Sequence, residues 1–124
     1  MNVCILGLGY IGLPTAVIVA SAGHKVIGVD INSNVVETIN RGEIHITEPG
    51  LKEMVFDCVK SGNLSASTKI SPADVFMIAV PTPFKSDKSN STPIPDLTHV
   101  FEAVKQICCV LKSGDLIILE STSP

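Results

Sequence analysis

The chain has 124 residues, 45% of them hydrophobic, a formal net charge of −3 and a mean hydropathy of +0.41. That length suits one small domain. The negative charge argues against a nucleic-acid partner, and with no Trp and only 4% aromatic residues there is no platform on which bases could stack. No uninterrupted apolar run is long enough to span a bilayer, so the apolar excess points inward, to a parallel sheet buried on both faces.

The first thirty residues organise the rest. Val3-Cys4-Ile5-Leu6 reads as a buried strand, Gly7-Leu8-Gly9-Tyr10-Ile11-Gly12 as a glycine turn, Leu13 to Gly23 as a helix, and Lys25 to Asp30 as a second strand closed by an acid. A G-x-G-x-x-G turn alone is weak. Between a strand and a helix, with an acid 18 residues beyond Gly12, it has the arrangement a dinucleotide needs. Gly7 allows the tight turn, Gly9 leaves room for a pyrophosphate to approach the backbone, and Gly12 lets the helix pack closely. Free N–H groups and the dipole at the helix start would face the phosphates, and Asp30 would accept from the adenine ribose hydroxyls. Two other readings stand beside this one. The turn could belong to another α/β fold. Residues 1–23, which carry no charged side chain, also resemble a signal peptide ending at Ala20-Ser21-Ala22, but no Lys or Arg precedes Lys25 and Pro14 and the glycines break the run.

Beyond Asp30, Asn32 or Ser33 caps a short helix that carries Val35, Val36 and Ile39 and ends at Arg41-Gly42. Glu43 to Ile46 reads as extended, and Glu48-Pro49-Gly50 as a turn into a helix with Leu51, Met54, Val55, Cys58 and Val59 on one stripe. Gly62-Asn63 stops that helix, Leu64 to Thr68 is a short strand, and Ser71-Pro72 has the form of a helix start. Val75 to Val80 is a continuous apolar run, a buried strand, and its exit Pro81-Thr82-Pro83-Phe84 is placed to touch a cofactor, because ligands of such sheets lie beyond the carboxyl ends of strands. Lys85 to Pro95 reads as a mobile polar loop. Asp96 caps a helix whose inner face is expected to carry Leu97, Val100, Phe101, Val104, Ile107, Cys108 and Leu111, and Leu116 to Leu119 is a further buried strand.

Five strands near 2–6, 25–30, 64–68, 75–80 and 115–119, with helices between most of them, predict an α/β, Rossmann-type doubly wound parallel sheet of order 3-2-1-4-5 with right-handed crossovers. A sixth strand would normally follow. Its lack predicts that residues 1–124 are one dinucleotide-binding domain cut from a longer protein. Cys4, Cys58, Cys108 and Cys109 form no C-x-x-C pair, so reduced, packed thiols are expected and no metal site. His24, His45 and His99 read as surface or turn residues rather than catalytic bases.

Several motifs together resemble the UDP-glucose/GDP-mannose dehydrogenase family. They are Gly7 to Pro14, Val29-Asp30-Ile31-Asn32, Val80-Pro81-Thr82-Pro83 and Glu120-Ser121-Thr122. Ile39 to Ile46 with Glu48-Pro49, Ala79 to Lys85 and Leu119 to Pro124 look most like its branch acting on UDP-N-acetyl-D-mannosamine. Relatives acting on UDP-glucose or UDP-N-acetylglucosamine share the first set, and a non-catalytic nucleotide-sensing module is the reading from another class. The resemblance implies a cytoplasmic, NAD-dependent oxidation of a UDP-sugar C6 alcohol to a carboxylate, two NAD being reduced, for surface polysaccharide synthesis. It implies a catalytic cysteine and its helpers in regions beyond Pro124, through which the protein would also form homo-oligomers.

Carried over by resemblance, the cofactor contacts are the backbone at Tyr10 and Ile11, the Asp30 carboxylate, Thr82 and Thr122. Thr122 also matches a threonine that positions the reactive water in some relatives. Some relatives carry a basic residue near position 35, where this chain has Val35. Residues 32–37 offer no Arg or Lys to a 2′-phosphate, which with Asp30 favours NAD over NADP. By itself the chain is expected to bind NAD and oxidise nothing, and Leu116 to Leu119 is expected to be an apolar edge that pairs with another copy.

Overall fold

The computed structural model describes residues 1–85 and 94–120. Strands β1 (Asn2–Leu6), β2 (Lys25–Val29), β3 (Leu64–Ser67), β4 (Val75–Ile78) and β7 (Leu116–Leu119) form one sheet. Its order is β3-β2-β1-β4-β7, and every pairing in it is parallel. This is the predicted doubly wound sheet. A two-residue antiparallel ladder, β5 (Phe84–Lys85) with β6 (Ile94–Pro95), closes the base of the stretch read as a mobile loop, whose residues 86–93 lie outside the described residues.

Among the described residues four helices flank the sheet: α1 (Gly12–Ser21), α2 (Ser33–Asn40), α3 (Leu51–Lys60) and α4 (Thr98–Cys108). The alternation along β1 explains the two layers. Val3 and Ile5 point into one core with Leu13 and Val17 of α1, Ile39 of α2 and Val55 of α3. Cys4 and Leu6 point into the other, with Phe76 and Ile78 of β4 and Ala103 and Ile107 of α4. A one-residue slip of β1 would exchange the two sets, so the register is strongly specified. Asn32 is the residue that caps α2, its Oδ1 accepting from the Asn34 N–H at 2.9 Å. Asp96 Oδ1 accepts from the Thr98 N–H at 3.0 Å as α4 begins.

Several expectations are corrected. Ser71-Pro72 starts no helix: Asp74 already pairs with the sheet, its N–H donating to the Asn2 carbonyl, so no room remains for a turn. Residues 43–46, which are not among the predicted strands, stay outside the sheet, and Ile44 and Ile46 pack on the core. Along α4 the buried residues are Ala103 and Ile107, while Leu97, Phe101, Val104, Cys108 and Leu111 are exposed. The stripe that faces the sheet is therefore narrower than the apolar set on that helix. On α3, Leu51, Val55 and Cys58 are buried as expected, but Met54 is exposed. The fifth strand of the sheet is not buried either. Leu116 to Leu119 are 37–59% exposed, because β7 is the sheet edge and pairs only with β4 among the described residues. The four cysteines are free thiols, Cys4 and Cys58 buried, Cys108 and Cys109 exposed. Among the described residues no helix is long and apolar enough to cross a membrane.

Candidate functional site: the glycine turn and its cavity

At the end of β1 the chain turns through Gly7, whose φ of +97° is costly for any residue with a side chain. Its N–H donates to the Val29 carbonyl at 2.7 Å, and a Cβ there would lie 2.6 Å from the Ala79 carbonyl oxygen. The turn is thus wedged between the exits of β2 and β4. At Gly12 a Cβ would come within 1.7 Å of the Gly7 carbonyl oxygen, so the first turn of α1 sits directly on the glycine turn. Gly9 differs from both: nothing lies within 4 Å of where its Cβ would be. The space that Gly9 leaves is open, as a ligand approaching the backbone requires. Leu8, between Gly7 and Gly9, turns inward and covers Gly28, where a Cβ would meet the Leu8 side chain at 2.5 Å.

Helix α1 begins with no side-chain cap and no acidic residue in its first turn. Within that first turn the Leu13 N–H donates to the Gly9 carbonyl and Pro14 has none, so the N–H groups of Ile11 and Gly12 and the positive dipole end are what is left for an anion. Tyr10 and Ile11 stand at this end and are exposed. Asp30 follows β2. Its Oδ2 accepts from the Leu8 N–H and its Oδ1 from the Asn32 N–H, both at 3.0 Å. A carboxylate offers about four lone-pair sites, so two hydrogen bonds to the protein leave capacity for hydroxyl donors.

The parts meet in one cavity of about 570 Å³. Residues 7–11 of the turn, Val29 to Ile31 and Ala79 to Pro81 line it, with Leu6 at its floor and His99, Glu102, Ala103 and Gln106 of α4 as a wall. Of the residues singled out from sequence, Gly7, Gly9, Tyr10, Ile11 and Asp30 come together here, and Gly12 packs behind them. Thr82 is buried beyond β4 and does not line the cavity. Thr122 lies outside the described residues.

Two features were not legible. The α4 wall looks in sequence like a solvated polar face, and His99 like a surface residue. Only the packing of Ala103 and Ile107 on the sheet brings that face to the cavity. The second is a tie from α1 to the β7 exit. The Thr15 hydroxyl is 3.0 Å from the Ile11 carbonyl and 3.1 Å from Glu120 Oε1, while Glu120 Oε2 is buried without a partner among the described residues. The position of Glu120 at the carboxyl end of a strand was the available signal for it.

A parallel doubly wound sheet with an open glycine turn, a free helix N-terminus and an acid at the second strand end defines a dinucleotide-binding domain. Residues 1–124 match the model of the UDP-glucose/GDP-mannose dehydrogenase family, NAD binding domain, and the chain belongs to that family. NAD is thus the dinucleotide of this domain.

The relatives agree. A UDP-N-acetyl-D-mannosamine dehydrogenase of Campylobacter jejuni is 57% identical over 99% of this chain. An NDP-N-acetyl-D-galactosaminuronic acid dehydrogenase of Ralstonia solanacearum is 54% identical over the same share. The solved UDP-N-acetyl-mannosamine dehydrogenase from S. aureus superposes with a TM-score of 0.91 at 43% identity over 99% of this chain. The chain spans 29%, 28% and 29% of the length of these three proteins, respectively.

Proposed function

We propose that this chain is the NAD-binding domain of a UDP-N-acetyl-D-mannosamine 6-dehydrogenase. The observation that carries the cofactor half is the open space at Gly9 beside an uncapped α1 and the Asp30 carboxylate. The sugar half rests on relatives, since 57% identity to a UDP-N-acetyl-D-mannosamine dehydrogenase runs over nearly the whole chain. In this reading residues 1–124 are one domain, and the sugar nucleotide and the thiol nucleophile are held by further parts of a longer, cytoplasmic, homo-oligomeric enzyme of surface polysaccharide synthesis.

Bound NAD would supply the hydride acceptor for oxidation of the sugar C6 alcohol to a carboxylate, two NAD being consumed per sugar. The chain's own residues bind and orient. The N–H groups at Tyr10 and Ile11 face the pyrophosphate, and the α1 dipole favours its charge. Asp30 accepts from the adenine ribose. The family resemblance assigns further cofactor contacts to Thr82 and Thr122, and to Thr122 the holding of a water near the reacting carbon.

The 54% identity to an NDP-N-acetyl-D-galactosaminuronic acid dehydrogenase supports an N-acetylgalactosamine nucleotide as the rival substrate. The test is NADH formation by the full-length protein on UDP-N-acetylmannosamine, UDP-N-acetylgalactosamine, UDP-N-acetylglucosamine and UDP-glucose. The proposal expects the highest kcat/KM on the first. Oxidation of another of the four at a higher kcat/KM would replace the substrate, and no NADH from any would remove the dehydrogenase reading.

A further inference from the structure

The α4 wall of the cavity has no role so far. His99, Glu102, Ala103 and Gln106 follow one another at helical spacing and face the same space as Asp30 and the glycine turn. If Asp30 holds the adenine ribose, as the proposed function has it, the attached base must run on into this space. There Val29 and Ile31 from the β2 exit and Ala79 and Val80 from the β4 exit line the cavity, apolar surface suited to a flat ring. The edge of the ring is then turned to α4.

Three polar side chains stand on that wall, and they are not equivalent. Glu102 is mostly exposed and its carboxylate is 3.7 Å from Lys105 Nζ, so it is directed along the outer surface. His99 and Gln106 are half-buried, flank the buried Ala103, and make no side-chain hydrogen bond among the described residues. A neutral imidazole carries its donor and acceptor on opposite sides of the ring and meets a base edge with one of them. The Gln amide carries both side by side, the pattern that pairs with adenine's N6 amino group and N7.

We infer that Gln106 reads the adenine edge of the cofactor, its carbonyl accepting from the N6 amino group and its amide donating to N7, so that this site selects a 6-amino purine dinucleotide over a 6-oxo one. With hypoxanthine in place of adenine, the 6-position becomes an acceptor. Neither orientation of the Gln106 amide then satisfies both contacts. Such a bidentate pair discriminates between bases by about tenfold or more.

The experiment titrates NAD and nicotinamide hypoxanthine dinucleotide into the protein and into Gln106→Leu and Gln106→Met variants. The two ligands differ only at the base, so their affinity ratio cancels any loss of fold or of phosphate binding. The expected result is a preference for NAD of about tenfold in the parent that falls to near unity in the variants. A parent that binds both ligands equally, or variants that keep the parent's ratio, would overturn the role of Gln106 and leave NAD binding intact. A parent that binds neither ligand would instead remove the cofactor reading on which the role rests.

Discussion

The Leu8 N–H donates to Asp30 Oδ2 at 3.0 Å, so the acid after β2 holds the backbone of the glycine turn after β1. Asp30 thereby has two jobs. It shapes the turn, and it offers its remaining lone pairs to a ribose.

These jobs separate by substitution. Asp30→Asn keeps one oxygen for the Leu8 N–H, gives up the bond from the Asn32 N–H and loses the charge. It is expected to retain NAD binding and lose the preference over NADP, whose 2′-phosphate no longer meets a like charge. Asp30→Ala loses both jobs and is expected to weaken NAD by about ten- to a hundredfold, the worth of a hydrogen bond to a charged group. Calorimetric titration of the two cofactors into the parent and both variants checks this. Equal NAD and NADP affinity in the parent would contradict it.

The glycines of the turn are expected to fail differently. Gly9 does not have a positive φ, and open space surrounds it, so Gly9→Val should fold with little change in Tm and lose NAD binding. Gly12→Ala places a methyl group 1.7 Å from the Gly7 carbonyl oxygen. It should cost at least about 3 kcal/mol of stability, the upper range for overpacking. Thermal melts with and without NAD distinguish the two outcomes.

Thr15→Val removes the donor that Glu120 Oε1 uses while Oε2 already lacks one among the described residues. The stranded carboxylate should cost about 1–3 kcal/mol. Adding Glu120→Leu to it should recover part of that loss, because an apolar side chain needs no donor. Urea unfolding of the single and double variants gives the comparison.

Stability should also fall in alkali. Burial pushes the Cys4 thiol up to about 11 from 9.0. The folded-state value lies above the unfolded one, so the neutral thiol's contribution is complete below pH 9 and is lost as pH rises towards 11. Two units correspond to about 3 kcal/mol at most. Cys4→Ala should therefore lose less stability between pH 8.5 and 10.5 than the parent does, as followed by urea unfolding at each pH.

How much of this was readable depended on whether a residue's role is local. Gly7, Gly9, Gly12 and Asp30 act through backbone geometry close in sequence to β1 and β2, and their pattern announced the turn. Strand β4 was legible because its apolar run is flanked by a turn and by prolines. For β7 the run alone is ambiguous: Leu116 to Leu119 would read alike in the middle of a sheet or at its edge, and it is the predicted strand order, which the structure has, that marks them as the edge. On α4 the apolar residues outnumber what the sheet can cover. Which of them turn inward was set by the small Ala103, which brings the helix close and sends Phe101 and Val104 outward. The same rotation turns His99 and Gln106 to the cavity, a consequence that helical period alone does not contain.

The claim that NAD occupies the space between the glycine turn, Asp30 and α4 is tested most directly by amide chemical shifts of the labelled protein during NAD titration. Shifts should concentrate on residues 7–12, on Asp30 and Ile31, on Ala79 and Val80, and on His99 and Gln106. Shifts confined to the opposite ends of the strands, where Asn2, Lys25, Gly62 and Ser65 line a separate cavity, would contradict the account. So would a spectrum that NAD leaves unchanged.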